Sequence, residues 1–140
     1  MRICIDSSAL IPGIRAGNTL AARLLDWISP ELPLIIPRLI AQEVTRNLTT
    51  PEQVRRFYKL FQGRDFAFIF DEPVPPILVV KYTGLGLPEK ADAFIGAFAE
   101  WLEIRYLISV YRHFLRNLKP DVFQVLRPDE FVVRWEADKV

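Results

Sequence analysis

An unbroken apolar run that ends in an acid opens the chain. The run Ile3–Ile5 is followed directly by Asp6, Ser7 and Ser8. A short run without polar alternation is typical of a strand that is buried on both faces, as in a parallel sheet flanked by helices. Because ligands gather at the carboxyl ends of such strands, Asp6 is a candidate functional residue. The alternative is that Asp6 and the serines only cap a turn or a helix.

Segments that read as strands alternate with segments of helical periodicity along the rest of the chain. We predict strands at residues 3–5, 34–36, 66–70, 106–109 and 122–126, and helices at 19–28, 38–48, 51–63, 76–82, 89–103 and 128–138. Gly13 and Gly17 are expected to bracket a loop after the first strand. Alternating strands and helices predict βαβ units, and therefore an α/β class with a parallel sheet.

The composition narrows the class of protein. The length of 140 residues predicts a single domain over residues 1–140, and 51% hydrophobic residues are enough for a core without disulfides. Cys4 is the sole cysteine and is expected to be a buried core residue in a reducing compartment, while the single histidine, His113, excludes a multi-histidine zinc site. No apolar stretch reaches the length of a membrane span and no signal peptide is evident, so we expect a cytoplasmic protein with no membrane partner.

Two helices carry an acid on the face that should be buried. Glu43 follows Leu39 and Ile40 at helical spacing and shares their apolar stripe, and Asp92 lies beside Ile95 and small residues. An ionised carboxylate turned toward a core is costly unless it is paired or bound to a metal. For Glu43 the alternatives are a salt bridge with an arginine, Arg38 or Arg46, and a position at the solvated margin of the apolar stripe. For Asp92 and Glu89 the alternative is the preference of acids for the first turn of a helix.

Asp6, Glu43 and Asp92 together suggest a site for a hard cation. A parallel sheet could present all three at one edge, and Mg²⁺ or Mn²⁺ prefers carboxylate and water oxygens. Without an ion, clustered carboxylates repel one another, and at least one pKa rises. A bound ion removes that repulsion and can activate water for attack on a phosphodiester. We therefore predict that these three acids converge.

Four segments in chain order resemble the PIN-domain family of metal-dependent ribonucleases, which includes the VapC-type toxins. They are residues 3–11 (ICIDSSALI), 37–43 (PRLIAQE), 89–99 (EKADAFIGAFA) and 107–115 (LISVYRHFL). The resemblance covers nearly the whole chain. It implies a three-layer PIN-like fold with a central five-stranded parallel sheet flanked by helices, an acidic pocket that holds Mg²⁺ or Mn²⁺, and RNA cleavage.

The resemblance also assigns roles to individual residues. It implies that Asp6, Glu43 and Asp92 are the catalytic and metal-binding acids and that Ser8 assists the first of them. The fourth segment departs from the family, which usually has Asp or Asn where this chain has Val110 and Tyr111.

Basic side chains near the expected site are candidates for binding RNA. Arg112 and His113 follow the fourth strand and could donate to phosphate, and Glu89 could support the site. The alternatives are a solvated arginine and a histidine that bonds a backbone group. Arg15, Arg38 and Arg46 near the rim could add phosphate contacts, and the aromatic residues 57, 58 and 61 are expected to lie in the core or on a self-association surface.

Other classes of protein fit less well. A haloacid dehalogenase-type phosphatase needs a second Asp where Ser8 stands, a receiver domain needs further acids near Asp6, and a dinucleotide-binding domain needs a glycine fingerprint that Gly13 and Gly17 do not supply. The serious alternative to a nuclease is a non-catalytic PIN-like module that binds RNA or protein through an incomplete metal site. A toxin would also have a small antitoxin partner that covers the acidic groove, and a homodimer is a further expectation.

Overall fold

The computed structural model describes residues 1–87 and 89–138, in which five strands and eight helices follow one another. Pro88, which was expected to precede a helix, lies outside the described residues. The elements in order are β1 (Ile3–Ile5), α1 (Ser7–Arg15), α2 (Leu20–Asp26), β2 (Leu34–Pro37), α3 (Arg38–Arg46), α4 (Pro51–Lys59), β3 (Ala67–Phe70), α5 (Pro76–Thr83), α6 (Lys90–Trp101), β4 (Tyr106–Ile108), α7 (Arg112–Asn117), β5 (Gln124–Leu126) and α8 (Pro128–Asp138).

The five strands form one sheet in the order β3-β2-β1-β4-β5, and every pairing is parallel. The predicted five-stranded parallel sheet is therefore confirmed. The order reverses between β1 and its neighbour β4, where Ile5 pairs with Ile108. A reversal of this kind opens a crevice beyond the carboxyl ends of the two strands, which is where α/β sheets bind ligands.

The three inner strands are buried along their whole length, as their apolar sequences predict. Every residue of β1, β2 and β4 is buried, whereas the edge strands β3 and β5 contain exposed positions. Because successive side chains of a strand point to opposite faces, complete burial means that helices cover both faces of the sheet. Cys4 is fully buried and unpaired, which confirms its place in the core.

Two helices occupy segments where no helix was predicted. Helix α1 begins directly after Asp6 and contains both Pro12 and Gly13, so the expected loop does not start at Gly13. It is confined to residues 16–19, where Gly17 lies in a turn. A Cβ at Gly13 would lie 3.1 Å from Leu25 Cδ1 and 3.2 Å from the backbone of Ala21, so this glycine permits close packing of α1 against α2. Helix α7 has only six residues, too few for a periodic pattern to reveal it.

The small residues beside Asp92 serve a contact between helices. A Cβ at Gly96 of α6 would lie 2.7 Å from the ring of Tyr82 in α5, so the ring rests directly on the glycine backbone. The phenol of Tyr82 donates to Glu100 Oε1 at 2.8 Å, which holds the ring in place. Gly96 thus makes room for an aromatic side chain of another helix. Among the helices of the described residues, none is long and apolar enough to cross a membrane.

Candidate active site

Asp6 and Ser109 lie side by side at the carboxyl ends of β1 and β4. The backbone N–H of Asp6 donates to the carbonyl of Ile108 at 2.9 Å, which continues the pairing of the two strands. Asp6 is the N-cap residue of α1, yet its side chain makes no capping hydrogen bond. Its contact with the start of α1 is a hydrogen bond from the backbone of Ser7, which lowers the pKa of Asp6.

The Asp6 carboxylate is buried and held by two hydroxyl groups. Asp6 is only 4% exposed. Its Oδ2 accepts hydrogen bonds from Ser8 Oγ at 2.8 Å and from Ser109 Oγ at 3.0 Å. Burial raises the pKa of Asp6, and the nearby charge of Glu43 raises it further, while the two serine hydroxyls partly offset the rise. The charged form of Asp6 is therefore less favourable than in water.

Glu43 projects from α3 toward the same edge of the sheet. Its Oε2 accepts a hydrogen bond from Ser7 Oγ at 2.7 Å, and the residue is half-buried. Arg38, one of the two arginines considered as its partner, instead forms a bidentate pair with Asp71 at 2.7 and 2.9 Å. Within residues 1–87 and 89–138 no salt bridge to Glu43 is found. The salt-bridge explanation for this acid is therefore wrong, whereas its half-buried position agrees with the solvated margin of the apolar stripe.

Asp92 is the acid in the first turn of α6, and it is buried. It is 6% exposed, and its Oδ2 accepts a hydrogen bond from the phenol of Tyr111 at 3.3 Å. Burial raises the pKa of Asp92, the charge of Glu89 adds to the rise, and hydrogen bonds from Tyr111 and the backbone of Glu89 oppose it. The first-turn position and the backbone hydrogen bond from Glu89 are what the start of a helix explains, whereas the burial of Asp92 and its hydrogen bond from Tyr111 are additional.

The three predicted acids line one cavity of about 310 Å³. Its other polar lining residues are Ser7, Ser8, Asn47, Glu89 and Tyr111. Carboxylate and hydroxyl oxygens are the right donors for a hard cation. Across the part of the chain that the structure describes, however, no three His, Cys, Asp or Glu side chains form a group that could hold one ion as they stand. The donors fit such an ion in kind and line the same cavity, but they do not form a ready group for it.

The remaining predicted residues lie at different distances from this cavity. Ser8 bonds Asp6, and Glu89 lines the cavity wall. Arg112 is exposed at the start of α7. His113 is half-buried, with its ring edge-on to Tyr111 at 5.1 Å between centroids, and its charge lowers the pKa of Asp92. Within residues 1–87 and 89–138, no hydrogen bond from the His113 side chain to a backbone group is found, and its ring contacts Tyr111.

Sequence reasoning missed the supporting roles of Ser7, Ser109 and Tyr111. Ser109 had a detectable signal, since it follows a buried strand as Asp6 does. In the sequence Tyr111 stands out only as a departure from the Asp or Asn that the family usually has. The structure shows it as a hydrogen-bond donor to one of the predicted acids, a role that the spacing along the chain does not reveal.

Comparison with known proteins supports the fold. No family model and no curated protein matches the sequence. Among solved structures, the chain is similar to one in the crystal structure of VapBC2 from Rickettsia felis bound to a DNA fragment from their promoter. The TM-score is 0.64 with 13% sequence identity, over 90% of this chain and 98% of the other. The fold is thus a three-layer α/β, PIN-like fold, and at this identity the likeness concerns the fold alone.

Proposed function

We propose that this chain is a metal-dependent endoribonuclease of the PIN-domain type, acting in the cytoplasm as the toxin of a toxin–antitoxin pair. The observation that carries the proposal is the convergence of Asp6, Glu43 and Asp92 on one cavity at the carboxyl edge of the sheet. The two aspartates are buried, and no basic side chain forms a salt bridge with any of the three within the described ranges. Buried acids without a salt bridge are suited to a cation from solution.

The same three acids are the residues that would hold Mg²⁺ or Mn²⁺. A bound ion would neutralise the clustered carboxylates and lower the pKa of a water molecule for in-line attack on a phosphodiester. The chain's own contribution is orientation. Ser8 and Ser109 hold Asp6 through Oδ2, and Ser7 holds Glu43 through Oε2, so each carboxylate enters the cavity from a defined direction.

RNA is the proposed substrate, and basic groups beside the cavity are suited to its phosphates. Arg112 and His113 follow Tyr111, which lines the cavity, so α7 begins at the cavity mouth. Contacts of this type position a nucleic acid without reading its sequence. Of the rim arginines, Arg38 is engaged by Asp71 and Arg15 donates to the backbone of Asn47, whereas Arg46 is exposed and is a candidate beside those of α7.

A small antitoxin is the proposed protein partner. The similar Rickettsia felis structure contains VapBC2 bound to DNA, and the fold likeness extends over 90% of this chain. We propose that an antitoxin segment covers the acidic cavity of this chain and blocks access of RNA to it. A homodimer is a separate expectation, to be measured by analytical ultracentrifugation.

A non-catalytic PIN-like module remains the second candidate. The observation that favours it is the spacing of the acids, since no three of them form a group ready to hold one ion within the described residues. The presence of Val110 and Tyr111 where the family usually has Asp or Asn also favours the module. Such a module would bind RNA or protein through the same surface without cleaving.

Metal binding and RNA cleavage distinguish the two candidates. We would measure Mn²⁺ binding by calorimetry and cleavage of structured RNA for wild type, Asp6→Asn and the matched control Asp65→Asn, which changes an exposed aspartate outside the cavity. The nuclease predicts Mn²⁺-dependent cleavage that is lost in Asp6→Asn and kept in Asp65→Asn. RNA binding without cleavage in the wild type would reject the nuclease and favour the module.

A further inference from the structure

Tyr111 is fixed at the cavity wall from several directions. It is the N-cap residue of α7, and its backbone N–H donates to Ser109 Oγ at 2.9 Å. Its ring packs edge-on against Phe114, 5.0 Å away at 81°, and against His113, 5.1 Å away at 71°. Because the ring and its backbone are both restrained, the phenol oxygen has a defined position in the cavity.

The phenol of Tyr111 donates to Asp92, for which the described residues show no hydrogen bond from a serine. Asp6 accepts hydrogen bonds from two serine hydroxyls and Glu43 from one, whereas the hydroxyl donor to Asp92 is Tyr111, at 3.3 Å from Oδ2. Each of the three acids therefore accepts a hydrogen bond from the hydroxyl group of a residue that is distant in sequence. Asp6 accepts a second one from Ser8, two positions away. Ser109, Ser7 and Tyr111 thus do the same thing for the three acids: each donates a hydroxyl hydrogen bond that orients a carboxylate.

We propose that Tyr111 is a positioning residue that holds the Asp92 carboxylate turned into the cavity. The inference rests on the proposed function, because positioning matters only if Asp92 binds an ion. A neutral phenol suits this place, since the cavity already contains Asp6, Glu43, Glu89 and Asp92. It orients one carboxylate without adding another negative charge to repel the rest.

The variant Tyr111→Phe removes the hydroxyl and keeps the ring packing. A single hydrogen bond of this kind changes an equilibrium by about 3- to 10-fold. We therefore expect the Mn²⁺ concentration for half-maximal RNA cleavage to rise by about that factor, with the rate at saturating Mn²⁺ within about twofold of wild type. A ring needed only for packing would leave both quantities unchanged in this variant. The control is Tyr58→Phe, at an exposed tyrosine of α4 outside the cavity.

A second measurement does not depend on activity. Crystal structures of wild type and Tyr111→Phe, both without added metal, should show that the Asp92 carboxylate changes its orientation when the hydroxyl is removed. An unchanged carboxylate, or an unchanged Mn²⁺ requirement in an active enzyme, would overturn the positioning role. If wild type neither binds Mn²⁺ nor cleaves RNA, the proposed nuclease fails, and the pair of structures still decides whether Tyr111 orients Asp92.

Discussion

The hydroxyl of Ser109 donates a 3.0 Å hydrogen bond to Oδ2 of Asp6, across 103 positions of sequence. The two residues end neighbouring parallel strands, at the point where the strand order reverses. The bond therefore joins the two halves of the sheet through the proposed metal-binding acid. Ser109 is completely buried, and its Oγ also accepts the backbone N–H of Tyr111 at 2.9 Å.

The variant Ser109→Ala should destabilise the protein by about 1–3 kcal/mol, because it removes one donor from the buried Asp6 carboxylate and the acceptor of a part-buried N–H. The Tyr111 N–H loses its acceptor and Asp6 loses one donor. Ser8→Ala is the matched comparison, because it also removes a donor to Asp6. The N–H group that loses its acceptor in this variant belongs to the exposed Val110, and water can replace the acceptor there. Urea unfolding of both variants should show the larger loss for Ser109→Ala. Equal losses would contradict the role of burial.

Neutralising Asp6 should stabilise the metal-free protein at neutral pH. Because burial raises the folded-state pKa above the ordinary value of 3.8, the folded protein binds this proton more tightly than the unfolded chain. Stability is then lost as pH rises from the ordinary pKa through the raised one. Asp6→Asn removes this dependence of stability on pH. The free energy of unfolding of the variant should therefore rise above that of wild type between those pKa values and stay above it at pH 7. Urea unfolding at a series of pH values measures it, and Asp65→Asn should run parallel to wild type.

The variant Gly96→Ala should destabilise the contact between α5 and α6. The new methyl would lie 2.7 Å from Tyr82 Cδ1, and that ring is fully buried. Overpacking of this kind costs about 1–3 kcal/mol, of which the better helix propensity of alanine recovers about 1 kcal/mol. Gly17→Ala is the control, since nothing lies within 4 Å of a Cβ there. A melting temperature at or above that of wild type for Gly96→Ala would show that the ring can move aside.

Glu100 should stabilise the fold at neutral pH and lose that effect in acid. Lys81 lies 2.6 Å from Oε1 and lowers the pKa of Glu100, and the Tyr82 phenol donates to the same oxygen. A lowered folded-state pKa gives stability above the ordinary pKa that disappears as pH falls through the folded one. Glu100→Gln should therefore cost about 1–2 kcal/mol at pH 7 and less in acid. Glu52→Gln, in an exposed pair with Arg56, should change little.

The end of α6 offers a stabilising substitution. Glu103 has φ 54°, and the N–H groups of Glu103 and Ile104 donate to the carbonyls of Glu100 and Ala99. This is the arrangement in which glycine normally follows a helix, because a side chain in the left-handed region is strained. Glu103→Gly should raise the free energy of unfolding by about 0.5–1 kcal/mol, and Glu103→Ala should not. Chemical denaturation of the two variants makes the comparison.

Local patterns in the chain were enough to indicate the alternation of strands and helices. The runs at Ile3–Ile5 and Leu34–Pro37 are buried strands, and the terminal helix α8 has the predicted bounds. Asp6, Glu43 and Asp92 could also be singled out, because hydrophobic periodicity places Glu43 and Asp92 on inward faces. Helix α1 could not be predicted from the sequence, because Pro12 and Gly13 weaken the local helical pattern. The reason for the glycine is its contact with α2, which only the structure shows.

By itself, then, the sequence determined the α/β class and the acids that face inward, because burial periodicity is a property of neighbouring residues. Only the tertiary structure decided that the order β3-β2-β1-β4-β5 puts Ser109 against Asp6 and the phenol of Tyr111 against Asp92. Such pairings depend on which strands become neighbours. The packing of the whole sheet settles that choice, and no local pattern encodes it.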